Sequence, residues 1–305
     1  MFLTGFADEA GADLETQIRA TRELGWKYIE SSMIGKTMLG TMSDAEFEDA
    51  FAKLEHAGIR VNCYGSAVAN WARDPRKEED FQKSIDELKT AIPRMRRLGC
   101  KLLRGMSFAM VSDADPESPE LEAMVFRKVR YLVELCADNG IVYGHENCMN
   151  YGGYSHKHTL KLLEKVDHDN LKLIYDTGNP TFNYRRIGTP PYPLQSSWEF
   201  YRNVRDHIVY VHIKDGLALP REGELHANAE YTYAGEGAGD VRAIVKDLLR
   251  TGYDGGFSIE PHLGCVFHDG NAQAGEDGIR YQNYVNYGRR FEKLLTECGW
   301  TLPEK

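Results

Sequence analysis

A glycine recurs at the end of amphipathic stretches, and a short apolar run follows it at once. The pattern reads Leu24-Gly25-Trp26, Ala57-Gly58-Ile59, Leu98-Gly99-Cys100 and Asn139-Gly140-Ile141, and it returns at Thr251-Gly252-Tyr253. Glycine suits the left-handed position just past a helix, so each copy marks a passage from helix to strand. The first four are 33, 41 and 41 residues apart, the size of a βα unit. This rhythm predicts strands at 2–6, 27–31, 60–64, 101–105, 141–146, 171–176, 208–213 and 256–260. Helices are expected near 12–24, 43–57, 78–98, 117–139, 155–167, 196–205, 238–251 and 275–297. In the third, Phe81, Ile85, Leu88, Ile92 and Met95 recur at steps of three and four, as one buried face requires. Eight alternating pairs imply a parallel sheet, and closure into one (β/α)8 barrel over residues 1–305 fits the count. An open doubly wound sheet is the alternative, but no Gly-x-Gly-x-x-Gly follows the first strand.

Composition removes several classes of function. The chain has 305 residues, 42% hydrophobic and 27% charged, which is neither disordered nor membranous. No run of about 18 apolar residues is present, so no transmembrane helix is expected. The start, Met1-Phe2-Leu3-Thr4-Gly5-Phe6-Ala7-Asp8-Glu9, lacks the basic region of a secretory signal. A net charge of −9 argues against a nucleic-acid partner. Cys63, Cys100, Cys136, Cys148, Cys265 and Cys298 form no CxxC pair and read as reduced thiols of a cytoplasmic protein.

Two connections exceed ordinary length, 177–195 and 214–239. Both follow late strands, at the face where barrel enzymes place their sites. Polar residues gather at the ends of the same strands. Strand five closes on His145-Glu146-Asn147, strand six on Asp176-Thr177-Gly178-Asn179, strand seven carries His212, and strand eight closes on Glu260-Pro261-His262. Glu146, Asp176, His212 and Glu260 therefore converge on one mouth. Three crowded carboxylates repel one another and are costly to bury without a cation. One imidazole with three carboxylates is an oxygen-rich donor set. It suits Mn²⁺ best, then Mg²⁺ or Co²⁺, with Zn²⁺ also compatible.

With Asp176 in Tyr-Asp-Thr-Gly-Asn, His212 in Val-His-Ile-Lys-Asp and Glu260 in Ile-Glu-Pro-His, the quartet resembles the metal site of the xylose-isomerase-like barrel superfamily. That group includes sugar isomerases, ketose 3-epimerases, inosose-processing enzymes and the endonuclease IV type of repair enzyme. The resemblance implies one divalent ion on the four residues. It further implies Glu146 and Glu260 as the acid/base pair that moves a proton next to the carbonyl of a keto-sugar. The physical logic agrees, because a divalent ion steadies the enediolate formed by that step. Asn179 stands where many relatives carry histidine, and the extra histidines of the three-zinc repair enzymes are missing.

His145-Glu146-Asn147-Cys148-Met149-Asn150-Tyr151-Gly152-Gly153 is similar to the large subunits of bacterial C-glycoside deglycosidases. That likeness implies a lyase acting on 3-oxo-glucosides, with a small β-sandwich-like partner subunit. Proton abstraction is the same; expulsion of the aglycone replaces reprotonation. A histidine suits a base working near neutral pH, so His145 is a catalytic candidate. Strand alternation instead turns it away from the side Glu146 faces. Arg104 and Lys214 are candidates for substrate contact, or for ion pairs with Glu30 and Asp215. Asn179 and His262 are further candidate substrate contacts. Trp71, Phe108, Tyr151, Tyr154, Phe182 and Tyr184 lie in the same loops, where they would stack on a sugar or aglycone, or simply pack. Tyr281, Tyr284 and Tyr287 read as packing or as the surface of an oligomer, which is the expected assembly. A non-catalytic sugar-binding barrel would be expected to lose part of the quartet, and none is lost. A plain metal-dependent hydrolase is also compatible.

Overall fold

The computed structural model describes residues 1–263 and 277–301. Eight parallel strands run in chain order: β1 (Phe2–Gly5), β2 (Tyr28–Ser31), β3 (Arg60–Gly65), β4 (Leu102–Gly105), β5 (Val142–Glu146), β6 (Leu171–Asp176), β7 (Ile208–Ile213) and β8 (Gly256–Ile259). Each pairs with its sequence neighbour from β2 through β8, and β8 pairs back to β1. A parallel bridge between Phe6 and Glu30 sits at the remaining seam, so the sheet closes into a barrel there. The helices α1 (Leu14–Glu23), α2 (Asp44–Ala57), α3 (Glu78–Leu98), α4 (Pro119–Ala137), α5 (His156–Val166), α6 (Ser197–Val204), α7 (Val241–Arg250) and α8 (Asp277–Glu297) follow the strands in turn. No described helix is long and apolar enough to cross a membrane.

Local chemistry sets these boundaries. Ser43 and Glu46 satisfy each other's backbone N–H groups in a reciprocal cap on α2. Ser118, Ser155 and Ser196 accept backbone N–H bonds at the starts of α4, α5 and α6, each such cap contributing about 1 kcal/mol. Gly58 and Gly99 adopt φ of 67° and 68°, where a Cβ would be strained, and so end α2 and α3. On α3, Ile85, Leu88, Ile92 and Met95 are buried against the barrel.

The expected strands hold to within a residue or so, but two antiparallel hairpins were not foreseen. One pairs Met33–Ile34 with Thr37–Met38, and the other pairs Asp215–Leu219 with Asn228–Thr232. The second lies inside the stretch read as a loop. Its strands pair locally with little burial, so they show none of the apolar run that marks a barrel strand. Cys265 and residues 275–276 of the last expected helix lie outside the described residues. The other five cysteines are free thiols.

The barrel interior is unusually polar for this architecture, whose centre is commonly packed with branched aliphatic side chains. A small apolar cluster of Cys63, Ile174 and Tyr210 is backed by Phe2 and Leu102. Beside it, Thr4 Oγ1 donates to Asn62 Oδ1 at 2.9 Å and Asn62 Nδ2 donates to the Tyr210 hydroxyl at 2.8 Å. Ser258 Oγ donates to Glu30 Oε2 at 2.7 Å.

Candidate functional site

The C-terminal ends of β5 to β8 deliver Glu146, Asp176, His212 and Glu260 to one point. All four are buried, and one ligand atom from each lies within 4.8 Å of the others. Glu146 Oε1 is 3.2 Å from His212 Nδ1, and Glu260 Oε2 is 3.6 Å from the same nitrogen. Asp176 Oδ1 accepts the backbone N–H groups of Gly178 (2.8 Å) and Asn179 (2.6 Å), which aims its other oxygen elsewhere. Glu260 Oε2 is buried without a hydrogen bond, and Asp176 Oδ2 has only the Lys214 ammonium, 3.2 Å away. An unbonded buried carboxylate oxygen is costly, and one beside a histidine nitrogen fits a cation.

The charge count says which cation. Glu30, Glu146, Asp176 and Glu260 bring four negative charges; Arg104 and Lys214 bring two positive ones, and all six are buried. Glu9 and a protonated His262 balance one another. With Asp176 ionised and His212 neutral the deficit is two charges, which a divalent ion or two protons would meet. Protons answer the same deficit. Burial raises the Asp176 carboxyl, and Glu260 and Glu146 add to it against Lys214, so its pKa is pushed up to about 7. Burial opposes a charged His212, but Glu30 and Glu146 outweigh it and hold the imidazole well above its usual range. The cluster can therefore bind a divalent metal.

Cationic neighbours hold the carboxylates. Arg104 Nη1 donates to Glu146 Oε2 at 3.1 Å, its Nη2 donates to the Ser66 carbonyl at 2.9 Å, and its guanidinium lies 5.2 Å from the Phe6 ring centre. Against the burial that would raise it, Arg104 and then His212 hold Glu146 down at about 2. Lys214 Nζ lies 2.8 Å from Glu260 Oε1 and 3.2 Å from Asp176 Oδ2. Neither cation takes the partner offered by the sequence reading. Arg104 pairs with Glu146, not Glu30. Lys214 pairs with Glu260 and Asp176, not Asp215, because Asp215 accepts the backbone N–H groups of Gly216, Gly235, Gly237 and Gly239.

Asn179 and His262 also reach the cluster. Asn179 Nδ2 donates to Glu146 Oε1 at 3.2 Å. His262 Nε2 is 3.1 Å from Glu260 Oε1 while its Nδ1 is 2.9 Å from Glu9 Oε1. Burial opposes a charged ring there, but Glu9 and then Glu260 hold the pKa up at about 9. His145 stands apart. Its Nε2 is 2.9 Å from Ser107 Oγ, and it lies so close beneath Gly152 that a Cβ there would come within 2.3 Å of its ring. Burial pushes its pKa down to about 4.

Several aromatic candidates pack. Phe108 is buried, the Tyr151 hydroxyl donates to Glu122 at 2.8 Å, and the Tyr154 hydroxyl accepts the Val111 N–H at 2.8 Å. Tyr281, Tyr284 and Tyr287 are buried within the chain. Trp71 remains exposed. Tyr184 bonds the backbone of Arg221, tying its loop to the hairpin. Phe182 meets Tyr231, whose ring stands edge-on to His262 at 4.8 Å. Tyr231, Glu9 and Ser258 were not singled out from the sequence, and Glu30 only as a pairing partner. Glu30 is the last residue but one of β2, so the search for polar residues at strand ends would have found its place had it been carried to the first half of the barrel.

A family model described as xylose isomerase-like TIM barrel matches residues 18–282. A xylose isomerase domain protein from Planctomyces limnophilus superposes with a TM-score of 0.69 at 18% identity, covering 97% of this chain and 96% of that one. D-psicose 3-epimerase from Clostridium cellulolyticum H10, solved with D-tagatose, gives 0.66 at 16% identity, covering 97% and 99%. A xylose isomerase-like TIM barrel protein from Mycobacterium smegmatis, in complex with magnesium, gives 0.63 at 19% identity, covering 92% and 88%. At these identities the likeness establishes the fold. No protein of curated function matches the chain.

Proposed function

The chain belongs to the xylose isomerase-like TIM barrel family, and from that premise we propose a divalent-metal-dependent sugar isomerase or epimerase acting next to the carbonyl of a keto-sugar. The observation that carries this reading is the convergence of Glu146, Asp176, His212 and Glu260, all buried, on one point. The epimerase neighbour solved with D-tagatose supports a small carbohydrate as substrate. We take Mn²⁺ as the ion, on the donor set.

The ion would be held by Glu146 Oε1, Asp176 Oδ2, His212 Nδ1 and Glu260 Oε2, and when bound it supplies a Lewis acid for the enediolate charge. Glu260 is the proton-transfer group. Its side chain is 10% exposed, against 1% for Glu146 and none for Asp176 and His212, so it borders the mouth. Its Oε1 faces His262, whose imidazole can pass a proton onward, and Lys214, which stays charged and steadies the carboxylate. Asn179 and Lys214 flank the place where substrate oxygens would lie. Tyr231 and Phe182 form an aromatic wall beside His262.

The test is incubation of the full chain and Mn²⁺ in D₂O with D-fructose, D-psicose, D-tagatose and 3-oxo-glycosides, followed by NMR. Deuterium at the carbon beside the carbonyl is expected. Aglycone release from a 3-oxo-glycoside would show that the enolate is consumed by elimination. No exchange on any of these compounds by Mn²⁺-loaded protein would remove the proposal.

A further inference from the structure

Glu30 is a charge buried in the middle of the barrel. Its residue is fully buried, and a carboxylate is a poor choice for packing because burial without partners is costly. What it touches is specific. Oε1 and Oε2 lie 3.2 and 3.1 Å from His212 Nε2, the ring nitrogen opposite the one that faces Glu146 and Glu260. Ser258 Oγ donates to Oε2. Ser258 in turn meets the Tyr210 hydroxyl, which receives Asn62 and through it Thr4. A polar column thus rises through the barrel and ends on the far side of the histidine.

The imidazole is gripped by rings as well. Phe6 stands edge-on at 5.1 Å and Tyr210 at 5.7 Å. These contacts limit the tilt of the ring but do not choose which nitrogen carries the hydrogen. A carboxylate at Nε2 chooses it: the hydrogen is held on Nε2, and the lone pair is left on Nδ1. No other carboxylate is recorded at Nε2 among the described residues.

We infer that Glu30 is a positioning residue, which binds His212 Nε2–H and so presents Nδ1 to the divalent ion, with Ser258 and Tyr210 holding Glu30 in place. The inference rests on the metal reading of the quartet. It assigns the ionic part of the barrel interior to the site above it and not to stability.

The experiment uses the full chain stripped of metal, titrated with Mn²⁺ and followed by the EPR signal of the free ion. Wild type should bind one ion. Glu30→Gln keeps the shape but not the charge, and should bind about 10–100-fold more weakly, the usual range for losing such a partner of a ligand. Ser258→Ala should weaken binding by a smaller factor. In Zn²⁺-loaded protein with ¹⁵N-labelled histidine, His212 should carry a downfield Nε2–H resonance that moves upfield in both variants, a shift that a merely structural role would not produce. Equal Mn²⁺ affinity and an unmoved resonance in Glu30→Gln would overturn the inference while leaving the metal reading intact. If Glu30→Gln fails to fold, the same two null results in Ser258→Ala overturn it. A wild type that binds neither Mn²⁺ nor Zn²⁺ overturns the metal reading itself and the inference with it.

Discussion

The two glutamates at the barrel mouth come from opposite surroundings. Glu146 ends β5 and is gripped on all sides: Arg104 on Oε2, with His212 and Asn179 on Oε1. A guanidinium never gives up its proton at ordinary pH, so Glu146 is held as an anion. Glu260 sits just past β8, buried but nearer the mouth; against the burial that would raise it, Lys214 and His262 on Oε1 hold its carboxyl well below the usual range. Lys214, though buried, is held charged by Asp176 and Glu260, while the His262 imidazole can exchange a proton and is itself steadied by Glu9 from the loop after β1. In the proposed reading the same residue type serves once as an anchor and once as a proton carrier. Residue identity at a strand end says that a carboxylate is available. The cations around it say what the carboxylate is for.

The sharpest way to break this contrast is to remove each carboxylate's charge in turn. Glu260→Gln should lose about 10²–10⁴-fold in kcat, the usual cost of a missing acid/base group, and excess Mn²⁺ should not restore it. Glu146→Gln should mainly weaken metal affinity and recover turnover as Mn²⁺ is raised. Rescue of Glu260→Gln by Mn²⁺ would reduce that residue to a ligand. Next in size is the anchor itself. Arg104→Met leaves Glu146 buried beside no guanidinium and should destabilise the fold by about 3–5 kcal/mol in urea titration. An unchanged midpoint would mean that Glu146 does not depend on the pair.

His145 tests whether a third group shares the work. Packed under Gly152 and bonded to Ser107, it should act through the loop that follows Glu146. His145→Gln should then cost no more than about 10–100-fold. A loss of turnover far beyond that, with Mn²⁺ still bound, would move the base to His145 and favour elimination of an aglycone. The smallest effect lies outside both halves. His158 is buried on α5, and that burial pushes its pKa down to about 4 from an ordinary 6.5. Its neutral form is favoured by folding. The stability it contributes is therefore present above pH 6.5 and is lost as the pH falls toward 4. Between pH 7 and 5.5 this amounts to about 1 kcal/mol. His158→Gln should flatten the fall in urea midpoint over that range, and an equally steep fall in the variant would place the proton elsewhere.

Much of this molecule was legible from its residues. Helix-ending glycines and apolar runs are local signals, and each depends on interactions within a few positions along the chain. They placed the eight barrel strands and put Glu146, Asp176, His212 and Glu260 at one mouth, because a barrel gathers the ends of its strands whatever their separation in sequence. The hairpin of Asp215–Leu219 with Asn228–Thr232 escaped because weakly buried strands carry little apolar signal.

Pairing across the barrel was beyond local signals. Arg104 had Glu30, Glu146 and Glu260 all within electrostatic reach, and only the geometry of the closed barrel gives its hydrogen bond to Glu146 and leaves Glu30 to His212. Ion pairing falls off over a few ångströms and depends on direction, while sequence records only order. Which residues lie on the mouth is therefore written in the chain. Which of them hold one another, and so which can move a proton, was decided by closure of the barrel.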